Sequence, residues 1–202
     1  MIIGIDEVGR GCLAGDVYAA GVMIPEDMPA LQGITDSKAL TASTRERLCG
    51  VLVNHPDIHF ALSYRSVTAI TGDLQACFND IIQTFKAFCP DIKEVRIDGN
   101  YGWHFRDAPP VRYIVKGDAK EWSIGAASII AKVTRDRYMR EQGLIYPGYG
   151  WERNAGYGTQ EHIEAIKRLG LTPLHRVKFC DTALRNAGVK KDTVDVFEIF
   201  GV

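Results

Sequence analysis

The sequence predicts an α/β domain: a mixed central β-sheet flanked by helices, with a helical C-terminal region. Three observations carry that reading. Short, β-branched apolar runs open the chain at Ile2–Asp6 and Val17–Ile24. Helical and strand-like patterns then alternate as far as Lys116, which favours a layered sheet over a sandwich or a bundle. Beyond Asp118 the apolar spacing is helical almost to the end.

The elements follow in order. The first two runs flank a Gly-rich stretch, as two neighbouring strands joined by a turn would. Ser43–Val53 reads as a helix and Ile58–Arg65 alternates like a strand. Between Leu74 and Phe88 the apolar residues Leu74, Cys77, Phe78, Ile81, Ile82 and Phe85 recur at helical spacing. Glu94–Asp98 and Arg112–Lys116 read as two more strands. A long helix is expected over Ala119–Arg140, stopped by Gly143, with Ile129, Ile130 and Val133 on one side and Lys132, Arg135, Asp136 and Arg140 largely on the other. Tyr146–Gly158, rich in Gly, Tyr and Pro, reads as a loop. A helix over about Thr159–Leu169, a break at Pro173 and a weaker helix after Phe179 complete the pattern.

At 202 residues, with 46% hydrophobic and 24% charged content, the chain suits one globular domain over 1–202, with about 180–202 as a helical region and tail. No apolar run is long enough for a signal peptide or a bilayer span, so a soluble, cytoplasmic monomer is expected. Five scattered cysteines without a C-x-x-C pair suggest neither a disulfide framework nor a zinc knuckle, but reduced and mostly buried thiols. The net charge of −1 conceals an asymmetry. Residues 112–191 carry 15 Lys and Arg against 8 Asp and Glu, whereas residues 1–111 carry 9 against 14. A basic C-terminal half permits a polyanionic partner without requiring one.

Several residues stand where chemistry is done. Asp6 and Glu7 end the first strand beside Gly9-Arg10-Gly11, a backbone open to close approach. Neighbouring strand residues point to opposite faces, so both carboxylates serve one site only if Glu7 lies past the regular strand. Asp98 ends another strand before Gly99-Asn100; a turn-opening Asp-Gly pair would explain it equally. Asp118, with Glu121 three residues on, has the spacing of a capping box. Brought together, four such acids would repel one another until cations relieved them. Oxygen donors without His or Cys favour Mg2+ or Mn2+ over zinc, and two such ions about 4 Å apart suit phosphodiester cleavage. Arg10 with nearby amides could hold a phosphate, and Tyr157, in Gly156-Tyr157-Gly158-Thr159, could stack on a sugar or base. Lys132, Arg135, His175, Arg176 and Lys178 are candidates for backbone contacts to nucleic acid. Each of these residues taken alone has an ordinary solvated or structural explanation.

In order along the chain, Asp6-Glu7-Val8-Gly9-Arg10-Gly11, Asp36-Ser37-Lys38, Ile97-Asp98-Gly99-Asn100, Lys116-Gly117-Asp118, Ala126-Ala127-Ser128-Ile129-Ile130-Ala131-Lys132, Gly156-Tyr157-Gly158-Thr159 and His175-Arg176 resemble the blocks that mark the ribonuclease HII family. The resemblance implies an RNase H-like fold. It implies that Asp6, Glu7, Asp98 and Asp118 hold two divalent ions, Mn2+ or Mg2+, and hydrolyse the bond 5′ of a ribonucleotide to leave 3′-hydroxyl and 5′-phosphate ends. The substrates would be RNA–DNA hybrids and duplex DNA containing ribonucleotides. Gly9, Arg10 and Gly11 would read the 2′-hydroxyl and adjacent phosphate, Tyr157 would stack at the junction, and Lys38, Lys132, His175 and Arg176 would contact substrate. The related type III enzymes usually carry Gly-Lys-Gly instead, so Arg10 favours type II.

Cys12 and Asp16 stand where the family commonly has proline, and Ala155 where lysine usually precedes Gly-Tyr. These departures bear on substrate affinity more than on reaction type. Two rivals are a fold-related ATPase lobe, suggested by Gly4-Ile5-Asp6 with Gly9, and a binding domain that has lost cleavage; chain length weighs against the first and the four acids against the second. The alternating tail Val194-Asp195-Val196-Phe197-Glu198-Ile199-Phe200 suits an edge strand packed on the body, with weak docking to a replication protein as the alternative.

Overall fold

The computed structural model describes residues 1–67 and 74–188. The C-terminal tail therefore lies outside the described residues, and both readings of it with it. The elements run β1 Ile2–Val8, β2 Val17–Ile24, a 3-10 turn Ser37–Ala39, α1 Ala42–Val53, β3 His59–Arg65, α2 Leu74–Phe88, β4 Glu94–Asp98, β5 Val111–Ile114, α3 Gly117–Lys120, α4 Trp122–Ile145, α5 Trp151–Asn154, α6 Gln160–Leu169 and α7 Val177–Asn186. Packing divides the described residues into two compact units, one drawn from 1–8, 17–65 and 74–134, the other from 9–16, 66–67 and 135–188.

The first unit contains a five-stranded mixed sheet in the order β3-β2-β1-β4-β5. β1 pairs antiparallel with β2, β2 antiparallel with β3, and the β1–β4 and β4–β5 pairs are parallel. β1 and β2 are central and covered on both faces, which is why their sequences are almost continuously apolar. On one face Ile3, Ile5, Met23, Val95 and Ile97 pack against Phe78, Ile81, Ile82 and Phe85 of α2. On the other, Ile2, Val8, Ala20 and Val22 meet Leu48 and Leu52 of α1 and the Ala126–Val133 stretch of α4. Burying each Val, Leu, Ile, Met or Phe among them contributes about 1.5–3 kcal/mol, and each alanine less. Thr41 caps α1, its hydroxyl accepting from the Thr44 amide at 3.2 Å.

Gly4 sets how closely α4 lies on the sheet. A Cβ there would stand 2.3 Å from the Ser123 carbonyl carbon, so the first turn of α4 rests directly on the β1 backbone.

In the second unit, Leu13, Met139, Tyr149, Trp151, Ile166, Leu171 and Leu184 share a core. The stretch expected to be an irregular loop contains the one-turn helix α5, whose Trp151 is among the largest fully buried side chains. Thr159 caps α6, accepting from the His162 amide at 3.3 Å.

Three boundaries differ from the sequence expectation for physical reasons. The long helix runs through Gly143 to Ile145, with Trp151 and Glu152 packed against that glycine. β5 ends at Ile114 because Lys116, at φ 55°, turns the backbone into α3. The capping box at Asp118 does not form. Asp118 lies in the first turn of α3, while Glu121 pairs with Arg96 at 2.7 Å and with Arg112 at 3.4 Å.

The five cysteines are free thiols, four buried and Cys89 partly so. No helix among the described residues is long and apolar enough to cross a membrane.

Gly4→Ala should destabilise the chain by about 3 kcal/mol, because the added methyl meets backbone that cannot rotate away. Urea unfolding of the two proteins measures it; an unchanged midpoint would mean that α4 can lift off β1.

Candidate active site

In the first unit the acids are placed by strand register. Ile5 of β1 is in register with Ile97 of β4, so the next residues, Asp6 near the C-terminal end of β1 and Asp98 at the end of β4, share the α4 face. Asp6 is buried and accepts from the Glu7 amide through Oδ1 at 2.7 Å. Asp98 Oδ1 accepts from the Gly117 amide at 2.6 Å, which ties the strand end to α3, the helix that carries Asp118. The Ser128 hydroxyl of α4 donates to Ser37 Oγ at 2.8 Å, beside Asp36 and Lys38.

The electrostatics follow from this crowding. Burial first, then the charges of Glu7 and Asp98, hold the Asp6 carboxyl well above the usual carboxylate range. The Asp118 carboxyl is raised by burial and by Asp36 and Asp98, with Lys38 working against them. Asp6, Asp98 and Asp118 thus form one interacting group, with Lys38 as the nearby cation.

Glu7 departs from the expectation. β1 continues through Val8, Glu7 is in register with Ala19, and its side chain therefore leaves on the face opposite Asp6. There its Oε1 accepts from the Tyr101 hydroxyl at 3.0 Å. The glycine at position 9 does not end the strand early enough to turn Glu7 round. Among the described residues, no three His, Cys, Asp or Glu side chains are gathered closely enough to hold a metal as they stand.

The second unit gathers most of the remaining candidates. Arg10 and Gly11 are exposed, while Gly9 is buried at φ 90°, a conformation that favours glycine. A side chain there would also collide with Arg135, whose Nε would lie 2.1 Å from the new Cβ. Tyr157 is half-buried, with the Arg135 guanidinium 5.9 Å from its ring centroid, and burial pushes its hydroxyl up to about 12.

Arg135, His175 and Arg176, expected at the substrate surface, are instead buried. Arg135 donates to the carbonyls of Asp16 (2.8 Å), Ala155 (2.7 Å) and Ala14 (2.9 Å). Arg176 donates to Arg10 O at 2.9 Å and to Gly15 O at 2.5 Å and 3.2 Å. These guanidiniums act on the backbone of residues 10–16, so they shape the Gly-Arg-Gly segment from inside. Lys132, in the first unit, is half-buried on α4. Of the three departures from the family pattern, the Cys12 thiol lies 3.8 Å from the carbonyl of Ala155, itself buried, and burial raises the Asp16 carboxyl against the opposing pull of Arg176, Tyr138 and Arg135.

Two histidines form a chain whose proton positions follow from its partners. The Tyr157 carbonyl can only accept, so His162 Nδ1 donates to it at 2.9 Å. His162 Nε2 then accepts from Trp151 Nε1 at 3.0 Å and from His175 Nε2–H at 3.1 Å. His175 Nδ1 in turn accepts from the Thr172 amide at 2.8 Å. Both rings are neutral. Burial depresses His175 to about 3 and lowers His162 as well. Position 162 belongs to none of the sequence blocks singled out above, and only its apolar helical surroundings would have hinted at burial.

Two stability predictions follow. Each histidine is neutral when folded but takes up a proton near its usual value of about 6.5 when unfolded. Their stabilising contribution is therefore full above that pH and is lost as the pH falls from about 6.5 towards 3. Urea midpoints at pH 7.5 and 5 should drop, and the drop should shrink in His175→Gln. Asp6 has the opposite sign: its raised carboxyl makes ionisation costly to the fold, so Asp6→Asn should raise Tm at pH 7.5 in chelator, by about 2–4 °C for each kcal/mol relieved. A lowered Tm would show that Asp6 is held mainly by hydrogen bonds.

Comparisons with known proteins bear on the family and the fold. A family model described as Ribonuclease HII matches residues 3–182. A ribonuclease HII from Leuconostoc mesenteroides is 42% identical over 190 residues, covering 89% of this chain and 70% of the relative. One from Novosphingobium aromaticivorans is 45% identical over 195 residues, covering 90% and 96%. Among solved structures, that of the PCNA:RNase HII complex from Archaeoglobus fulgidus superposes with a TM-score of 0.76 at 23% identity, over 95% of this chain and 99% of that one. Bst-RNase HIII in complex with Mn2+ gives 0.71 at 17% identity, over 92% and 70%. The mixed sheet flanked by helices is accordingly the RNase H-like fold, and the chain belongs to the ribonuclease HII family, the type II ribonucleases H.

Proposed function

We propose that this chain is an endonuclease that hydrolyses the RNA strand of RNA–DNA hybrids and cuts on the 5′ side of ribonucleotides embedded in duplex DNA, leaving 3′-hydroxyl and 5′-phosphate ends. The observation that carries the reading is the pair Asp6 and Asp98, set side by side near the C-terminal ends of parallel strands, with Asp6 buried and its charge opposed by its neighbours. Such a site is stabilised by a cation. The donors suit Mg2+ or Mn2+, being carboxylate oxygens with no sulfur or imidazole among them. Asp6, Asp98 and Asp118 would hold two such ions together with Glu7. When bound, the ions activate a water and stabilise the leaving 3′ oxygen.

The chain's own residues supply the rest. Arg10 and Gly11, exposed on a backbone braced by Arg176, offer a guanidinium and amides to a phosphate and to the 2′-hydroxyl that distinguishes RNA from DNA. Tyr157 offers a ring to the junction sugar. Lys38 and Lys132 add positive charge for the backbone. His175 and Arg176 serve by bracing residues 10–16 and 157 instead of touching substrate.

The test is cleavage of an end-labelled DNA duplex carrying one ribonucleotide, with Mg2+, Mn2+ or chelator, beside an all-DNA duplex and a long RNA–DNA hybrid. Metal-dependent cutting 5′ of the ribonucleotide is expected, and none on all-DNA. Asp98→Asn should reduce cutting to background while duplex binding persists. Tyr157→Ala should lower the preference for the junction by about 10-fold, equivalent to about 1.4 kcal/mol of stacking. Wild-type rates from Asp98→Asn would remove the acid-site reading.

A further inference from the structure

We propose, resting on the reading of Tyr157 as the residue that meets the junction, that buried His162 is its positioning residue. The imidazole Nδ1–H fixes the Tyr157 carbonyl, and preference for a single embedded ribonucleotide over a long hybrid depends on that hold. His162 stands in the first turn of α6, where its amide is already taken up by the Thr159 hydroxyl. The side chain reaches back along the chain, with Nδ1 2.9 Å from the Tyr157 carbonyl oxygen. Its other nitrogen decides where the proton sits. Trp151 Nε1, which can only donate, lies 3.0 Å from His162 Nε2. His175 Nδ1 accepts from the Thr172 amide at 2.8 Å, so the His175 proton is on Nε2, 3.1 Å from the same atom of His162. Facing two donors, His162 Nε2 offers its lone pair, and the proton is forced onto Nδ1, against Tyr157.

The loop around Tyr157 needs such a hold. Ala155 and Gly156 both have left-handed backbone, at φ 48° and 79°, a conformation that alanine disfavours. Asn154 fixes one side of Tyr157: its carbonyl accepts from the Tyr157 amide at 2.9 Å and its side chain from the Gly156 amide at 2.9 Å. The Gly156 carbonyl accepts from the Leu13 and Ala14 amides at 2.8 and 3.2 Å, which pins it to the segment that carries Arg10. These bonds set where Tyr157 begins. Where it ends is set at its carbonyl, which accepts from the Thr159 amide at 2.8 Å and from His162. The Thr159 bond spans two residues and moves with the turn. The His162 bond is anchored through the buried Trp151 and His175, so it ties the half-buried tyrosine to the core. A ring that stacks on a sugar must keep its plane, and a displacement of about 1 Å removes much of what a positioned group contributes.

The experiment measures kcat/KM with Mg2+ on a DNA duplex carrying one ribonucleotide and on a long RNA–DNA hybrid. The proteins are the full chain, His162→Leu, His162→Asn, Tyr157→Ala and each histidine change combined with Tyr157→Ala. An asparagine amide takes the place of Nδ1–H and leucine does not, while both lose the contacts to Trp151 and His175. His162→Leu should lower the ratio of the two kcat/KM values by about 5-fold, the equivalent of one hydrogen bond. His162→Asn should restore most of it. In the Tyr157→Ala background neither change should move the ratio, because His162 acts through Tyr157. A merely structural histidine lowers Tm and slows both substrates alike, leaving the ratio in place, which overturns the proposal; asparagine no better than leucine overturns it too. Should His162→Leu fail to fold, 15N spectra of the wild-type imidazoles decide, since a proton on His162 Nε2 is incompatible with the hold on Tyr157. A wild-type ratio from Tyr157→Ala marks failure of the underlying reading. A lowered ratio there, beside a silent His162→Leu, marks failure of the His162 proposal alone.

Discussion

The pairing of β1 with β4 is the constraint from which the acid group follows. Two parallel strands in register must present matching positions on one face, and here those positions are aspartates, one near the C-terminal end of β1 and one at the end of β4. Everything nearby is arranged to keep that register while accepting its electrostatic cost. Gly4 lets α4 rest on β1, the α2 aromatics hold the opposite face, and the Gly117 amide neutralises part of the Asp98 charge. The cost is local and the support is distributed, so the apolar contacts made by the same strands hold the acids in place.

The second unit meets a different problem: how to hold a glycine-rich segment still. Such a segment has little side-chain packing and a high conformational entropy to lose. The solution is two buried guanidiniums whose donors are spent on main-chain oxygens at Arg10, Ala14, Gly15, Asp16 and Ala155. A guanidinium has five donors in a fixed plane, so one side chain can fasten carbonyls spread along a segment, whereas lysine offers three donors from a single point. Asp16, buried beside both, moderates the concentration of positive charge.

Much of this was legible in the chain itself. The strands, α1, α2 and α6 follow from apolar period and capping residues, and the likeness of seven short blocks pointed to the family. What escaped the sequence was direction and depth. Arg135, His175 and Arg176 look like surface cations because their type usually is; only three-dimensional closure shows that their partners are backbone carbonyls far along the chain. Glu7 shows the same limit: it would share a face with Asp6 only if the regular strand ended before it, and the ladder with β2 carries the strand on. Glu121 offered a capping spacing, but two arginines from neighbouring strands outcompete a local amide for a carboxylate.

The free thiols have a consequence for how the protein ages. Cys12, Cys49, Cys77 and Cys180 are sealed in the interior, and burial pushes the Cys180 thiol up to about 12. Thiols that are neither ionised nor reachable resist oxidants and alkylating reagents for as long as the fold stays closed. Their reactivity therefore becomes a clock for opening events, and one that reads both units separately: Cys49 and Cys77 sit in the sheet unit, Cys12 and Cys180 in the other. Oxidation of these four thiols would be governed by how often the chain breathes and hardly at all by how long it is exposed.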